Sequence, residues 1–279
     1  MGYIYNVQKQ PADPKDFLLK TDLTPYEGIK LPKIVDLRKN CAPVFDQGNL
    51  GSCTANAGAA FMWMLFYSLI EAGVLHQDAV DFMKSDTFSR LFLYYKEREL
   101  EDKIGEDSGA YMRDIGKALQ KFGVCLEKDM PYIESNFTIP PSEQAIINAL
   151  KFKITAYRSI ADLQGVKECM ALKQKPVLMG MNVYQGFEKV GKDGIVPMPN
   201  AGEEPKGGHA VLAVAYNDAT WSSGLVKSIR SCLTGKPSIT GYVVCQNSWG
   251  VNWGDKGFFR LPYEYFTNRH AWDFWTLEK

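Results

Sequence analysis

The sequence predicts an α+β fold of two lobes, helical first and strand-rich second, and three observations carry that expectation. An almost wholly apolar run over 53–72 reads as one long buried helix. Two further segments, 88–100 and 108–122, repeat apolar residues at helical spacing. Beyond residue 125 the runs 152–157, 176–183, 210–216 and 241–247 read as strands. Helices followed by strands, rather than alternating with them, indicate segregated layers.

Residues 1–33 are rich in Pro, Lys and Asp with little periodicity, and read as an extension along the surface or across a cleft. The alternation at 34–38 gives a short strand. The helix at 53–72 would span about 30 Å at about 1.5 Å per residue, the width of a small domain. In the second helix Leu91, Tyr94 or Tyr95 and Arg98 share the inner face, with Lys96, Glu97 and Glu99 outward. Ser108 is the expected N-cap of the third, with Tyr111, Ile115, Leu119 and Phe122 at helical spacing and Gly123 as its stop. The strand at 152–157 is followed by a helix at 161–173 and a strand at 176–183. Gly207-Gly208-His209 then opens a run that is apolar on both faces, and an excursion at 217–240 separates it from the last strand.

The 279 residues carry 32 Lys+Arg and 32 Asp+Glu, so no basic stripe argues for nucleic acid and no acidic tail for disorder. Fourteen Tyr, 15 Phe and 6 Trp indicate a well-packed globule, expected to be monomeric. No uninterrupted run reaches the roughly 18 apolar residues of a membrane span, Ser68 breaking the longest. No secretory signal is visible at the N-terminus, and no localisation follows. The six cysteines (41, 53, 125, 169, 232 and 245) form no C-x-x-C pair, which disfavours zinc or a redox dithiol. They are expected to be free, buried thiols with one that works; neither cofactor nor metal is expected.

The working thiol is sought at the junction of 46–57, where a Gly-rich loop feeds the long helix and Cys53 opens it. The first turn of a helix has unpaired N–H groups and partial positive charge. A thiol there has its anion stabilised, so its pKa is expected below the roughly 8.5 of free cysteine. Gln47 brings an amide that can donate to an oxyanion beside the sulfur. Taken alone, the stretch fits a buried structural cysteine equally well. Three histidines decide the matter. His76 reads as a solvated helix-end group, and His270, among aromatics, as structural. His209 starts a buried strand, and Asn247 ends the next. Antiparallel pairing of the two makes them neighbours. The amide then fixes the imidazole tautomer and leaves the other nitrogen for a nucleophile.

Gln47-Gly48, Gly51-Ser52-Cys53, Gly208-His209-Ala210-Val211 and Asn247-Ser248-Trp249-Gly250, with Trp253-Gly254 and Gly257, resemble the motifs of the papain-like cysteine peptidases. Val35-Asp36-Leu37-Arg38 and Pro131-Tyr132 also fit. Leu50, Thr54-Ala55-Asn56-Ala57, Pro262-Tyr263-Glu264-Tyr265 and Asp273-Phe274-Trp275-Thr276 are most similar to its bacterial, xylellain-like branch. The resemblance implies a helical left lobe around a long central helix, an antiparallel β-barrel-like right lobe, and an active site in the cleft between them. It implies a peptidase domain over 34–279, with the helical lobe about 45–125 and the β-rich lobe about 126–260 plus terminal segments. Residues 1–33 would be either a short pro-segment acting in cis across the cleft, which would make the chain a zymogen, or a structural N-terminal strap.

The implied chemistry is hydrolysis of a peptide or protein substrate through a Cys53 thioester. His209 is general acid and base, Asn247 orients it, Gln47 lines the oxyanion hole and Trp249 shields the His209–Asn247 bond. Asp107-Ser108-Gly109 resembles the rim that pairs with substrate backbone, with Gly109 the preferred residue, and Met112, Gly180 and Ala210 are candidates for the side-chain pocket. Three departures stand out. Leu50 replaces a disulfide cysteine, so that bridge should be absent; Thr54 replaces the aromatic residue after the nucleophile; Gly208 replaces a polar residue. The same triad would serve a transpeptidase, ligase or isopeptidase. A non-catalytic binding protein is disfavoured because Gln47, Cys53, His209 and Asn247 are all present.

Overall fold

The computed structural model describes residues 4–11, 13–19, 23–26, 28–74, 86–219 and 241–279. His76, Cys232 and all but the first three residues of the 217–240 excursion lie outside them.

The long helix, α1 (Cys53–Glu71), forms as the apolar run demands, and Cys53 to Met62 are buried without interruption. By length and composition it is apolar enough to cross a membrane, but most of it is buried inside this fold. Two helices pack on it, α2 (Arg90–Leu100) and α3 (Met112–Lys121). Their close approach is made possible at Gly58, where a Cβ would lie 2.7 Å from Leu93 and 2.8 Å from Ile115. The cap of α2 is Ser89, whose Oγ accepts from Phe92 N at 3.1 Å and donates to Met130 O. Two expectations fail here. Glu97 and Lys96 are buried rather than outward, with Glu97 fully enclosed. Tyr111, not Ser108, precedes α3, and no side chain caps it. Ser108 instead donates to Gly109 O at 3.0 Å within an irregular loop. Two further helices are α4 (Glu143–Ala149) and α5 (Leu163–Leu172), the latter capped by Asp162 accepting from Gly165 N.

Among the described residues seven strands form one antiparallel sheet: β1 (Ile34–Asp36), β2 (Ala156–Ile160), β3 (Val177–Val183), β4 (Gly207–Asn217), β5 (Tyr242–Gln246), β6 (Phe258–Pro262) and β7 (Ala271–Glu278). Their order is β2-β7-β3-β4-β5-β6, with β1 on β4. The expected strand at 152–157 is shifted: Leu150–Phe152 is a 3-10 turn that seats Phe152 against Phe66 and Phe88, and the strand begins at Ala156. The sheet is open rather than closed into a barrel, because β2 and β6 stand at opposite ends of the order and do not pair. Other chain covers each edge: Phe17 O accepts from Ser159 N on β2, and Ile195 bridges Arg260 on β6.

Strand β4 is the axis of the sheet. It pairs with β3 from Gly207 to Ala213 and with β5 from Leu212 to Asn217. Nine consecutive residues, Gly208–Tyr216, are buried, as a run apolar on both faces requires. Packing of β4 across α1 sets the start of the helix beside the start of the strand.

Candidate active site

The antiparallel β4–β5 pair ends with Leu212 opposite Gln246, so the next residue, Asn247, leaves the sheet beside the first turns of β4. There His209 Nε2 donates to Asn247 Oδ1 at 2.7 Å. Asn247 Oδ1 also accepts from Ser248 N at 2.9 Å, which turns the amide oxygen toward the ring. The tautomer follows: a proton on Nε2, and a bare Nδ1 that has no nitrogen or oxygen partner although fully buried. Trp249 lies over the imidazole with ring centroids 5.0 Å apart, and Phe187 closes the same side at 6.2 Å. These rings keep water from the His209–Asn247 bond.

The thiol comes to the same place from the other side. Cys53 begins α1, and the N–H groups of Ala210, Thr54 and Cys53 itself lie near enough to its sulfur to favour the anion. The first of these groups follows His209 directly. The loop ahead of Cys53 is tied at several points. Gly51 N donates to both Asp107 carboxylate oxygens at 3.0 Å. Tyr132 donates to Gln47 O at 2.8 Å while Ser52 donates to the same phenol at 2.5 Å. Gln47 is fully buried; its Nε2 donates to Leu50 O at 3.0 Å and its Oε1 accepts from Ser248 Oγ at 2.6 Å.

A further contribution comes from the N-terminal segment. Asn6 bridges Gly208 in parallel, Val7 N donates to Gly208 O, and Asn6 Nδ2 donates to Asp107 O at 2.8 Å. Tyr5 stands edge-on to His209 at 6.5 Å and 6.1 Å from Trp249. Farther along, Gln10 N donates to Asp273 Oδ2, and Arg113 pairs with Asp16 at 2.6 Å. Cys53 and His209 are left with no exposed surface.

That enclosure reverses one expectation. Burial pushes the Cys53 thiol up to about 12, the nearby N–H groups of Ala210, Thr54 and Cys53 opposing it only in part. Burial likewise pulls His209 down to about 4 against the Asn247 hydrogen bond. Burial thus disfavours the charged form of each group in the enclosed site. Of the rim and pocket candidates, Gly109 touches the N-terminal segment: a Cβ there would lie 2.6 Å from Asn6 Cβ. Met112 and Ala210 are buried in the packing, and a side chain on Gly180 would run into Trp272. Pattern in the sequence assigns no role to Ser248, Tyr5 or Asn6, and it places Asp107 only in the rim segment, not as the acceptor for Gly51 N. The five described cysteines are free, and Leu50 is core.

The family model described as papain family cysteine protease matches residues 31–269. An uncharacterized peptidase C1-like protein of Acanthamoeba polyphaga mimivirus is 34% identical over 306 aligned positions, which cover 100% of this chain and 86% of that protein. Cysteine proteinase 1 of Entamoeba histolytica is 25% identical over 242 positions, covering 86% of this chain and 66% of its own length. The crystal structure of xylellain, a cysteine protease from Xylella fastidiosa, superposes with a TM-score of 0.75 and 33% identity, over 99% of this chain and 96% of that one. The fold, the matched span and these relatives establish that the chain belongs to the papain family of cysteine proteases.

Proposed function

We propose that the protein hydrolyses peptide bonds by acyl transfer to Cys53, and that its own N-terminal segment covers the site until it is displaced. The single observation that carries the first part is the bare, buried Nδ1 of His209, held in that tautomer at 2.7 Å by Asn247 beside the thiol at the start of α1. Once water reaches the site, the burial that disfavours both charged forms is relieved, and the proton moves from Cys53 sulfur to His209 Nδ1. The thiolate attacks the peptide carbonyl. The tetrahedral oxyanion is met by the second hydrogen of Gln47 Nε2 and the N–H at the helix start. Imidazolium gives its proton to the departing amine, leaving a thioester, and neutral His209 then takes a proton from the water that clears it. Iodoacetamide or an epoxysuccinyl probe followed by mass spectrometry tests this reading. The label is expected on Cys53 and absent from Cys53→Ala; a label on another cysteine counts against it.

The covering role of 1–33 ahead of a peptidase domain at 34–279 is supported by the two glycines before His209. A Cβ on Gly207 would meet Tyr5 O, and one on Gly208 would meet Val7 O. Backbone approaches backbone at both positions, which is how a chain lies in a peptide-binding cleft. Incubation at mildly acid pH with N-terminal sequencing tests it. A product starting near Leu31 with raised activity is expected; full activity of the intact chain argues against a covering role.

A further inference from the structure

We propose that Glu188 makes this peptidase select tyrosine as the first residue after the scissile bond, the place that Tyr5 fills while the N-terminal segment lies in the cleft. The inference rests on the reading that this segment occupies the substrate groove, and goes beyond it to a substrate preference. Tyr5 sits on the His209 side of the site, edge-on to the imidazole and against Trp249. His209 is the group that hands a proton to the departing amine, so the leaving part of a substrate lies on this side. The floor there is aromatic. At its end the Tyr5 hydroxyl donates to Glu188 Oε1 at 2.6 Å.

Glu188 is rigidly placed for that purpose. It closes the short helix α6 (Gln185–Glu188), whose Phe187 is fully buried and packs edge-to-face on Trp249 at 5.1 Å. Its other oxygen accepts from Lys206 Nζ at 2.5 Å. Although partial burial pushes the carboxyl upward, the hydrogen bonds from Lys206 and Tyr5 outweigh it and hold Glu188 below the usual carboxylate range. It is therefore an ionised acceptor at neutral pH. Lys206 already balances its charge, so an incoming lysine or arginine gains little, and it has no face to lay on Trp249. A phenol offers a flat ring for the aromatic floor and one O–H for Oε1; phenylalanine offers only the ring.

The test uses the full-length chain and blocked fluorogenic peptides that differ only in Tyr, Phe, Lys or Ala after the cleaved bond. The Tyr-to-Phe ratio of kcat/KM is read within each variant, so that the fraction of chains with an open cleft cancels. A ratio of about ten is expected for the wild-type chain, the size of one hydrogen bond to a charged acceptor at a partly exposed site. It should fall to about one in Glu188→Ala. If the intact chain turns over no peptide, the ratio is read on full-length Tyr5→Ala and its Glu188→Ala double variant, with the same expectation. Turnover with a wild-type ratio near one, a Lys peptide preferred to Tyr, or a ratio unchanged by Glu188→Ala overturns the proposal. Absence of turnover from every variant overturns the peptidase reading itself, and this inference with it.

Discussion

Ser248 Oγ donates to Gln47 Oε1 at 2.6 Å across 201 residues of chain, which fixes the Gln47 amide with its nitrogen toward the Cys53 loop. One hydrogen of that nitrogen goes to Leu50 O. The other is the hydrogen that the proposed mechanism aims at the oxyanion. Loss of a donor of this kind costs about 10²–10³ in kcat. Gln47→Ala should therefore fall in that range. Ser248→Ala should cost about tenfold, since the amide stays but can turn over, and Ser248→Thr should restore most of it. Steady-state kinetics on one peptide separates the cases, and KM should change little in all three.

His209 makes the covered state sensitive to acid. Its imidazole ionises near 4 when buried, against about 6.5 in an unfolded chain. Above about pH 6.5 neither state binds the proton, and no stability depends on it. As pH falls from 6.5 toward 4, the unfolded or opened chain takes up a proton that the buried ring refuses. About 3 kcal/mol of stability is lost over that window. Thermal unfolding of wild type and His209→Asn at pH 7.5, 6 and 4.5 reads the difference. The variant should show the shallower decline, and parallel curves would refute the assignment.

How much of this was legible in the sequence depends on the range of the interaction. The long helix announced itself through continuous apolarity, and the meeting of His209 with Asn247 followed from two strand-like runs and antiparallel pairing. Ser248 and Gln47 show no such pattern, because one hydrogen bond between distant loops has no period. Whether the barrel-like sheet closes was not legible, because closure depends on whether the two outermost strands meet, and neither β2 nor β6 carries that information in its own residues. Glu97 was misplaced because charge normally faces water; here Thr54 offers it a buried hydroxyl. The thiol pKa went astray for a related reason. The helix start favours the anion, but burial of the thiol opposes it more strongly, and the sequence does not display burial.

Glu97 supplies a test of that buried partnership. Thr54 Oγ1 donates to its Oε2 at 2.6 Å, while Oε1 is buried without a partner. Burial, opposed by the Thr54 bond and reinforced by Asp114 and Glu101, holds the carboxyl well above its usual range. The sign is opposite to that of His209. The folded chain keeps the proton, so stability falls as pH rises above the roughly 4.3 of an unfolded glutamate. Glu97→Gln keeps an acceptor for Thr54 and cannot ionise. Its Tm should equal wild type near pH 4 and exceed it by a growing margin between pH 5 and 8. A variant less stable than wild type at pH 8 would show that the charge itself is required.

Gly208→Ala addresses the covering segment without altering a group that touches the reacting atoms. The added methyl would collide with the Val7 carbonyl and lie 3.1 Å from Trp272. One neighbour has to yield. Strand β4 is locked into the sheet, with Gly208 opposite Asn182 and the buried apolar run Ala210–Tyr216 just beyond it. Val7 is held to Gly208 by one backbone bond of 3.3 Å, and the segment beyond it by isolated contacts. Hydrogen bonds of that kind contribute about 1 kcal/mol each, less than rupture of a central strand would cost. The N-terminal segment should therefore give way. Iodoacetamide should alkylate Cys53 at least about fivefold faster in the variant, the equivalent of about 1 kcal/mol of lost cover. Limited proteolysis should cut first among residues 4–11. Alkylation at the wild-type rate, with a wild-type digestion pattern, would mean that the segment does not govern access to the thiol.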